Sequence, residues 1–281
     1  MIDSSTRLCC LIGNPVRHTV SPQMHNAAFR ALNLNYVYLA FEVEAQRLGE
    51  AVMGLRALGA RGFNITIPYK VEVMRFLDRL DPTAEKTGAV NTVVIDGEMV
   101  GYNTDATGVE VALRDAGCRG AGRAMIIGAG GVARATAYAL RRLGYREIVV
   151  ANRTRERALK LAEIIRELGG EPEVVPLEKA GEYSRRCEVI VNCTPLGMVP
   201  DTESTPLRRS EIPGDAVVLD LVYNPLRTRL LREAEEAGAR TVDGLVVLVE
   251  QGAVAFRLWT GVEPPRDLMR REAERGLGVG D

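Results

Sequence analysis

The chain has 281 residues, 46% hydrophobic and 26% charged, with 36 basic and 37 acidic side chains and a formal net charge of -1. That length supports two domains with real cores, and the charge balance argues against a nucleic acid or an anionic membrane as the main partner while leaving room for a local basic pocket. The polar start and the short apolar run Leu8–Ile12 predict no signal peptide and no membrane span. The five cysteines are odd in number, include the adjacent Cys9 and Cys10, and form no C-x-x-C pair, so they predict a reducing cytoplasm rather than a disulfide framework or zinc site.

Short apolar runs alternate with helical patterns, which predicts an α/β fold. Leu8–Ile12 reads as a first strand, and Ser21-Pro22 as a helix start with Ser at the N-cap and Pro at the first helical position. Tyr36–Phe41 is a second strand, Glu44–Leu58 a helix and Gly62–Ile65 a third strand ended by Pro68. Val90–Ile95 and Met99–Tyr102 flank the hairpin signal Asp96-Gly97. A second unit opens with the strand Met125–Ile127, a helix through Arg142, the strand Glu147–Ala151 and a helix over Thr154–Leu168. Val189–Asn192, Val217–Leu219 and Thr241-Val242 are further strands, with a helix over Arg227–Ala237. From Leu245 two helices are expected, split near Gly261–Pro265. The expected domains are 1–107, 108–242 and a C-terminal helical segment 243–281.

The strand Met125–Ile127 runs directly into Gly128-Ala129-Gly130-Gly131-Val132-Ala133 and a helix, which is the dinucleotide fingerprint G-x-G-x-x-A in its expected context. Gly128 permits the tight turn, Gly130 lets backbone approach a pyrophosphate, and Ala133 lets the helix pack closely on the sheet. The helix N-terminus offers N–H groups to the phosphates. A glycine-rich turn without a ligand is the plainer alternative. At the end of the next strand, where an NAD site usually carries Asp or Glu, the chain reads Asn152-Arg153-Thr154, followed by Arg155 and Arg157. Arginine there pairs with a 2′-phosphate, which points to NADP. The alternative is a solvated basic helix start, although cations in a first turn oppose the helix dipole.

Three polar segments follow strands in the first unit. In Gly13–Pro22, Thr19 and Ser21 are hydroxyls at a helix start, suited to a carboxylate; simple N-capping explains Ser21 equally well. In Gly62–Lys70, Lys70 lies near the start of a helix expected from about Pro68, close behind Asn64 and Thr66; most lysines are merely solvated. In Asn91-Thr92 and Gly101–Gly108, Asp105 reads either as a helix N-cap or as the orienter of a lysine ammonium. Reducing a ketone by hydride transfer requires a proton donor. His18 and His25 are alternatives, but the Lys70–Asp105 pair is the better candidate.

Together these segments resemble the shikimate dehydrogenase family, whose members reduce 3-dehydroshikimate to shikimate in aromatic amino-acid biosynthesis. The matching stretches are GNPVRHTVSPQMHN at 13–26, GFNITIPYK at 62–70, GAVNT at 88–92, GYNTDATG at 101–108, GAGGVARA at 128–135, NRT at 152–154 and DGLVVLVEQGAVAFRLWTG at 243–261. The resemblance implies an N-terminal α/β substrate-binding domain and a Rossmann-type NADP-binding domain, with the C-terminal helices returning to the first and the active site between the two. It implies that Thr19 and Ser21 bind the substrate carboxylate and that Asn64, Thr66, Asn91 and Gln251 hydrogen-bond ring hydroxyls, with Tyr223 near substrate and nicotinamide. Lys70 and Asp105 become the catalytic pair. The cofactor residues implied are Gly128, Ala129, Gly130, Gly131, Ala133, Asn152, Arg153, Thr154, Arg157, Thr194, Leu221 and Gly244. Two positions depart from the family pattern: Thr19 stands where Ser is usual, and Val247 where Met is frequent. The expected partners are a small-molecule substrate and, as assembly, a homodimer. The rival readings are a quinate/shikimate dehydrogenase of dual substrate use, a non-catalytic NADP-sensing homologue, and another Rossmann reductase.

Overall fold

Strand β1 (Arg7–Gly13) is buried from Cys9 onward because its apolar run is covered on both faces. It is the second strand of a sheet in the first of two compact units. This unit comprises the residues up to Thr104 together with those from Val249; the second is Asp105–Leu248. The computed structural model describes residues 2–279.

After β1 the first unit continues with α1 (Ser21–Ala31), β2 (Tyr36–Glu42), α2 (Leu48–Ala57), β3 (Gly62–Ile65), β4 (Arg79–Leu80), α3 (Pro82–Thr87), β5 (Thr92–Asp96) and β6 (Glu98–Tyr102). The strand order is β2-β1-β3-β5-β6-β4. β1 runs parallel to β2 and β3, while β5 is antiparallel to β3 and β6. Gly97 sits at the β5–β6 turn with φ +74, the backbone that the Asp96-Gly97 signal predicts. One face of the sheet packs Cys10, Ile12, Phe63 and Ile65 against Leu48, Val52 and Leu55 of α2. Around α1 the packing is aromatic: Phe29 stacks on Phe256 at 4.8 Å and His25 on Tyr38 at 4.4 Å.

The second unit contains α4 from Asp105 (the helix spans Thr104–Asp115), β7 (Ala124–Ile127), α5 (Gly131–Leu143), β8 (Glu147–Asn152), α6 (Arg155–Glu167), β9 (Glu171–Pro176), α7 (Ala180–Ser184), β10 (Val189–Asn192), β11 (Val217–Asp220), α8 (Arg229–Ala237) and β12 (Arg240–Val242). Its order, β12-β11-β10-β7-β8-β9, is parallel throughout. The direction of winding reverses between β7 and β10, and open α/β sheets bind ligands at the strand C-termini there. α9 (Gly244–Thr260) starts in this unit, and from Val249 it belongs with α10 (Arg266–Gly276) to the first, where α10 packs on α1. Among the described residues no helix is long and apolar enough to cross a membrane.

Several local expectations need correction. Val20, not Ser21, is the N-cap of α1; Ser21 is the first helical residue and makes no capping bond. The helix expected over Glu44–Leu58 is a 3-10 turn at Ala45–Arg47 followed by α2. No α-helix begins at Pro68: Tyr69 N–H closes a turn on Thr66 O at 3.1 Å, and a 3-10 segment follows only at Glu72–Phe76. Lys70 therefore lies in a turn, and the helix-dipole argument for it lapses. Asp105 is not an N-cap either, because α4 already begins at Thr104. The Thr154 backbone caps α6, but its side chain makes no capping bond.

Candidate active site

In the first unit the polar residues gather where β1, β3 and β5 end or begin. Asn64 on β3 and Asn91, just before β5, are only 6% and 2% exposed. Burial of unpaired amides is costly, so the partners of each atom define the site. Asn64 Nδ2 donates to Asn91 O at 3.1 Å and to Thr92 Oγ1 at 2.9 Å. Asn91 Oδ1 accepts Thr104 N–H at 2.7 Å, and its Nδ2 donates to Gln251 Oε1 at 3.2 Å. Gln251, on α9, thus turns its Oε1 toward Asn91. Three predicted residues from distant parts of the chain are joined in one network.

Thr19 and Ser21 also meet: Thr19 Oγ1 donates to Ser21 Oγ at 3.1 Å and accepts Ser21 N–H at 3.3 Å. Because Ser21 does not cap its helix, its hydroxyl is not consumed by the bond that was its plainer explanation. Thr66 lies beside the start of this loop; a Cβ on Gly13 would stand 2.2 Å from Thr66 Cγ2. Only glycine allows the two strand ends to approach that closely. Lys70 is half-buried, and its carbonyl accepts Val90 N–H at 2.7 Å, next to Asn91. A separate groove of about 560 Å³ includes Thr19, Gln23, Arg17 and Glu42 but none of Asn64, Asn91 or Gln251. Its charges offset one another, Arg17 lying 3.7 Å from Glu42. The buried network, not this groove, joins Asn64, Asn91 and Gln251.

In the second unit Gly128 follows β7 with φ +107, and a Cβ there would stand 3.0 Å from Thr194 Cγ2 and 3.1 Å from Cys193 O. The two loops at the switch point are therefore in contact. A Cβ on Gly130 would meet nothing within 4 Å, so the backbone at the N-cap of α5 is open to a pyrophosphate. Ala129 and Gly131 complete the turn, and Ala133 is fully buried in the unit's core. At the end of β8, Asn152 Nδ2 donates to Thr154 O at 2.8 Å and sets the turn bearing Arg153. Arg153, Arg155 and Arg157 are exposed and, among the described residues, have no carboxylate within ion-pairing distance. An open glycine backbone beside uncompensated guanidinium groups fits a dinucleotide with an additional phosphate.

Leu221 and Gly244 are also adjacent, since a Cβ on Gly244 would stand 2.6 Å from Leu221 O. Tyr223 is mostly buried, which raises its phenol above the ordinary value of 10. Val247 packs into the unit's hydrophobic core. Asp105 is buried in the first turn of α4.

Sequence reasoning missed Tyr38, whose phenol donates to Asn64 Oδ1 at 2.7 Å, and the buried Asp220, which accepts Asn192 Nδ2 at 2.9 Å. Tyr38 and Asn64 lie on β2 and β3, with β1 between them, and Asn192 and Asp220 on the adjacent β10 and β11; nothing in the spacing pairs residues 26 and 28 positions apart in this way. The periodic pattern marks all four simply as interior.

Three family models match the chain: the shikimate dehydrogenase substrate binding domain over residues 11–93, shikimate / quinate 5-dehydrogenase over 110–204 and the shikimate 5'-dehydrogenase C-terminal domain over 244–274. The chain is 48% identical over 278 residues to the shikimate dehydrogenase (NADP(+)) of Thermococcus kodakarensis, covering 99% of each. The chain belongs to the shikimate dehydrogenase family. A shikimate dehydrogenase crystallised with NADP+ superposes with a TM-score of 0.91 at 42% identity, covering 98% of this chain and 97% of that one. The enzyme of Thermus thermophilus, crystallised with NADP(H) and shikimate, gives 0.87 at 40% identity, covering 96% and 100%. Family members of this kind are oxidoreductases acting on a CH–OH group, and their two-part α/β architecture is the one described above.

Proposed function

We propose that this chain is an NADP-dependent shikimate dehydrogenase that reversibly reduces 3-dehydroshikimate to shikimate. The observation that carries the reading is the buried Asn64–Asn91–Gln251 network: three amides from distant segments, oriented by one another, are suited to a small ligand with several hydroxyls. Thr19 and Ser21 hold the ligand carboxylate. Asn64, Thr66, Asn91 and Gln251 take its hydroxyls, and Tyr223 flanks it.

NADPH, when bound, supplies the hydride. Gly128, Ala129, Gly130, Gly131 and Ala133 shape the pyrophosphate turn, while Asn152, Arg153, Thr154 and Arg157 hold the adenosine 2′-phosphate end. Thr194, Leu221 and Gly244 line the cofactor's remaining length. Lys70 gives its ammonium proton to the carbonyl oxygen in the reducing direction and takes one from the hydroxyl in the other. Asp105 orients Lys70. A positioned acid of this kind contributes about 10²- to 10⁴-fold in rate.

The five free cysteines support a reducing, cytoplasmic setting. A homodimer is the assembly proposed, supported by the exposed Leu39 and Phe41 on the edge strand β2.

Steady-state kinetics with shikimate and quinate, each crossed with NADP and NAD, test the function. We expect shikimate with NADP to give the highest kcat/KM by a wide margin. Equal or greater turnover of quinate with NAD would reverse the assignment in favour of the dual-substrate alternative.

A further inference from the structure

Asn64 is bonded to protein through both ends of its amide, and the way it is held fixes what it offers a ligand. Both hydrogens of its amide are committed, one to the Asn91 carbonyl and one to Thr92 Oγ1. A carbonyl only accepts, so the amide cannot be flipped without setting two oxygens against each other. Its Oδ1 receives the phenol O–H of Tyr38 at 2.7 Å.

Tyr38 is itself tightly constrained for a residue on an edge strand. The side chain of Asn26 takes the place of a neighbouring strand: its Nδ2 donates to Tyr38 O and its Oδ1 accepts Tyr38 N–H, both at 2.8 Å. The ring is stacked on His25 at 4.4 Å and 15° and lies 6.0 Å from Trp259. The side chain is fully buried, and burial together with the nearby Cys10 and Cys9 thiols raises the phenol well above 10 against a smaller opposing effect of the Ser21 hydroxyl, so it stays protonated and remains a donor. Backbone, ring and hydroxyl are therefore fixed by different neighbours, and the phenol proton goes to a single acceptor atom.

We propose that Tyr38 is a positioning residue of the substrate site, whose phenol locks the Asn64 amide so that Asn64 meets a substrate hydroxyl as an acceptor through Oδ1. The proposal rests on the reading of Asn64 as a substrate contact. Tyr38 touches no reacting atom and acts through Asn64. A plain core aromatic would need only the ring, and phenylalanine would serve it equally well.

Y38F keeps the ring and deletes the donor, and it is tested beside N64A and the double variant. Loss of one neutral hydrogen bond should raise KM for shikimate about fivefold to tenfold, leave KM for NADP unchanged and alter kcat by less than about twofold. In the N64A background, Y38F should add nothing further to KM for shikimate, because the acceptor of its proton is gone. Additive effects in the double variant, or a parallel rise in KM for NADP, would mean a structural role and overturn the proposal. A raised KM in N64A with an unmoved one in Y38F overturns the Tyr38 proposal alone. An unmoved KM in N64A removes Asn64 from the substrate site, and the proposal falls with it.

Discussion

Asp220 and Asn192 meet side chain to side chain at 2.9 Å with neither exposed to solvent. The carboxylate also accepts Val222 N–H at 3.1 Å and Thr228 Oγ1 at 2.6 Å, and Thr228 caps α8. On the other side, Asn192 Oδ1 accepts both Thr194 N–H at 3.0 Å and Thr194 Oγ1 at 2.6 Å. Asp220 thus ties a helix start to the loop that touches Gly128. Burial outweighs its three hydrogen bonds and raises its pKa from 3.8 to about 6; the Cys193 thiol, itself raised by burial to about 12, is a nearby titratable neighbour.

The folded state therefore holds the Asp220 proton more tightly than the unfolded chain. Its contribution to stability is greatest below about pH 4 and is lost as pH rises through about 6, a change of about 3 kcal/mol. D220N does not titrate. The stability of the native protein relative to D220N should fall by roughly that amount between pH 4 and pH 7 in urea unfolding. Parallel pH profiles for the two proteins would show that Asp220 carries no such shift.

His25 should behave in the opposite sense. It is fully buried among Phe29, Tyr38, Phe256 and Trp259, neither ring nitrogen has a hydrogen-bond partner among the described residues, and burial lowers its pKa from 6.5 to about 3. Here the unfolded chain binds the proton more tightly. The stability due to neutral His25 is complete above pH 6.5 and declines as pH falls toward 3, by about 5 kcal/mol in all. H25F keeps an aromatic ring in the stack and removes the titration. Measured at pH 7 and pH 4, the native protein should lose stability relative to H25F on acidification; a gap that stays constant or widens the other way would count against a buried neutral imidazole.

Arg153 is exposed at the end of β8, with no ion pair among the described residues. If it pairs with a 2′-phosphate, R153A should raise KM for NADP about 10- to 100-fold, the range of a charge-assisted hydrogen bond, and leave KM for NAD nearly unchanged. Equal effects on both cofactors would assign Arg153 to general packing of the adenosine end.

The resemblance to the family and the motif chemistry nominate the candidate residues without coordinates, because glycine fingerprints and strand-end polar clusters are local in sequence. What stayed hidden is non-local or runs against propensity. β9 carries Pro172 and Pro176 and the two charged residues Glu171 and Glu173, and it escapes notice because only an edge strand tolerates missing donors. The Ser21-Pro22 pair suggests a cap one residue too late, since Pro is equally at home at the second helical position. The turn at Lys70 looked helical because a proline that starts a helix and a proline that ends a strand read alike. The Tyr38–Asn64 and Asp220–Asn192 bonds depend on sheet register, which hydrophobic pattern alone does not supply.

Register also explains why Gly62 admits no other residue. A Cβ there would stand 2.2 Å from Trp259 Nε1 and 2.3 Å from the carbonyl oxygen of Val93, which is the acceptor of that same indole at 3.0 Å. The α9 helix that carries Gln251 is thereby anchored directly on the β3–β5 pair. G62A should destabilise the protein by about 3 kcal/mol or more, since the backbone carbonyl cannot move aside without breaking the ladder. Truncating the indole in a G62A/W259A double variant should not restore stability, because the Val93 oxygen remains in the way and a large buried side chain is lost besides. A G62A protein that unfolds at the native denaturant midpoint, or one rescued by W259A, would show that the close approach of helix and sheet at this point is not what holds α9 in place.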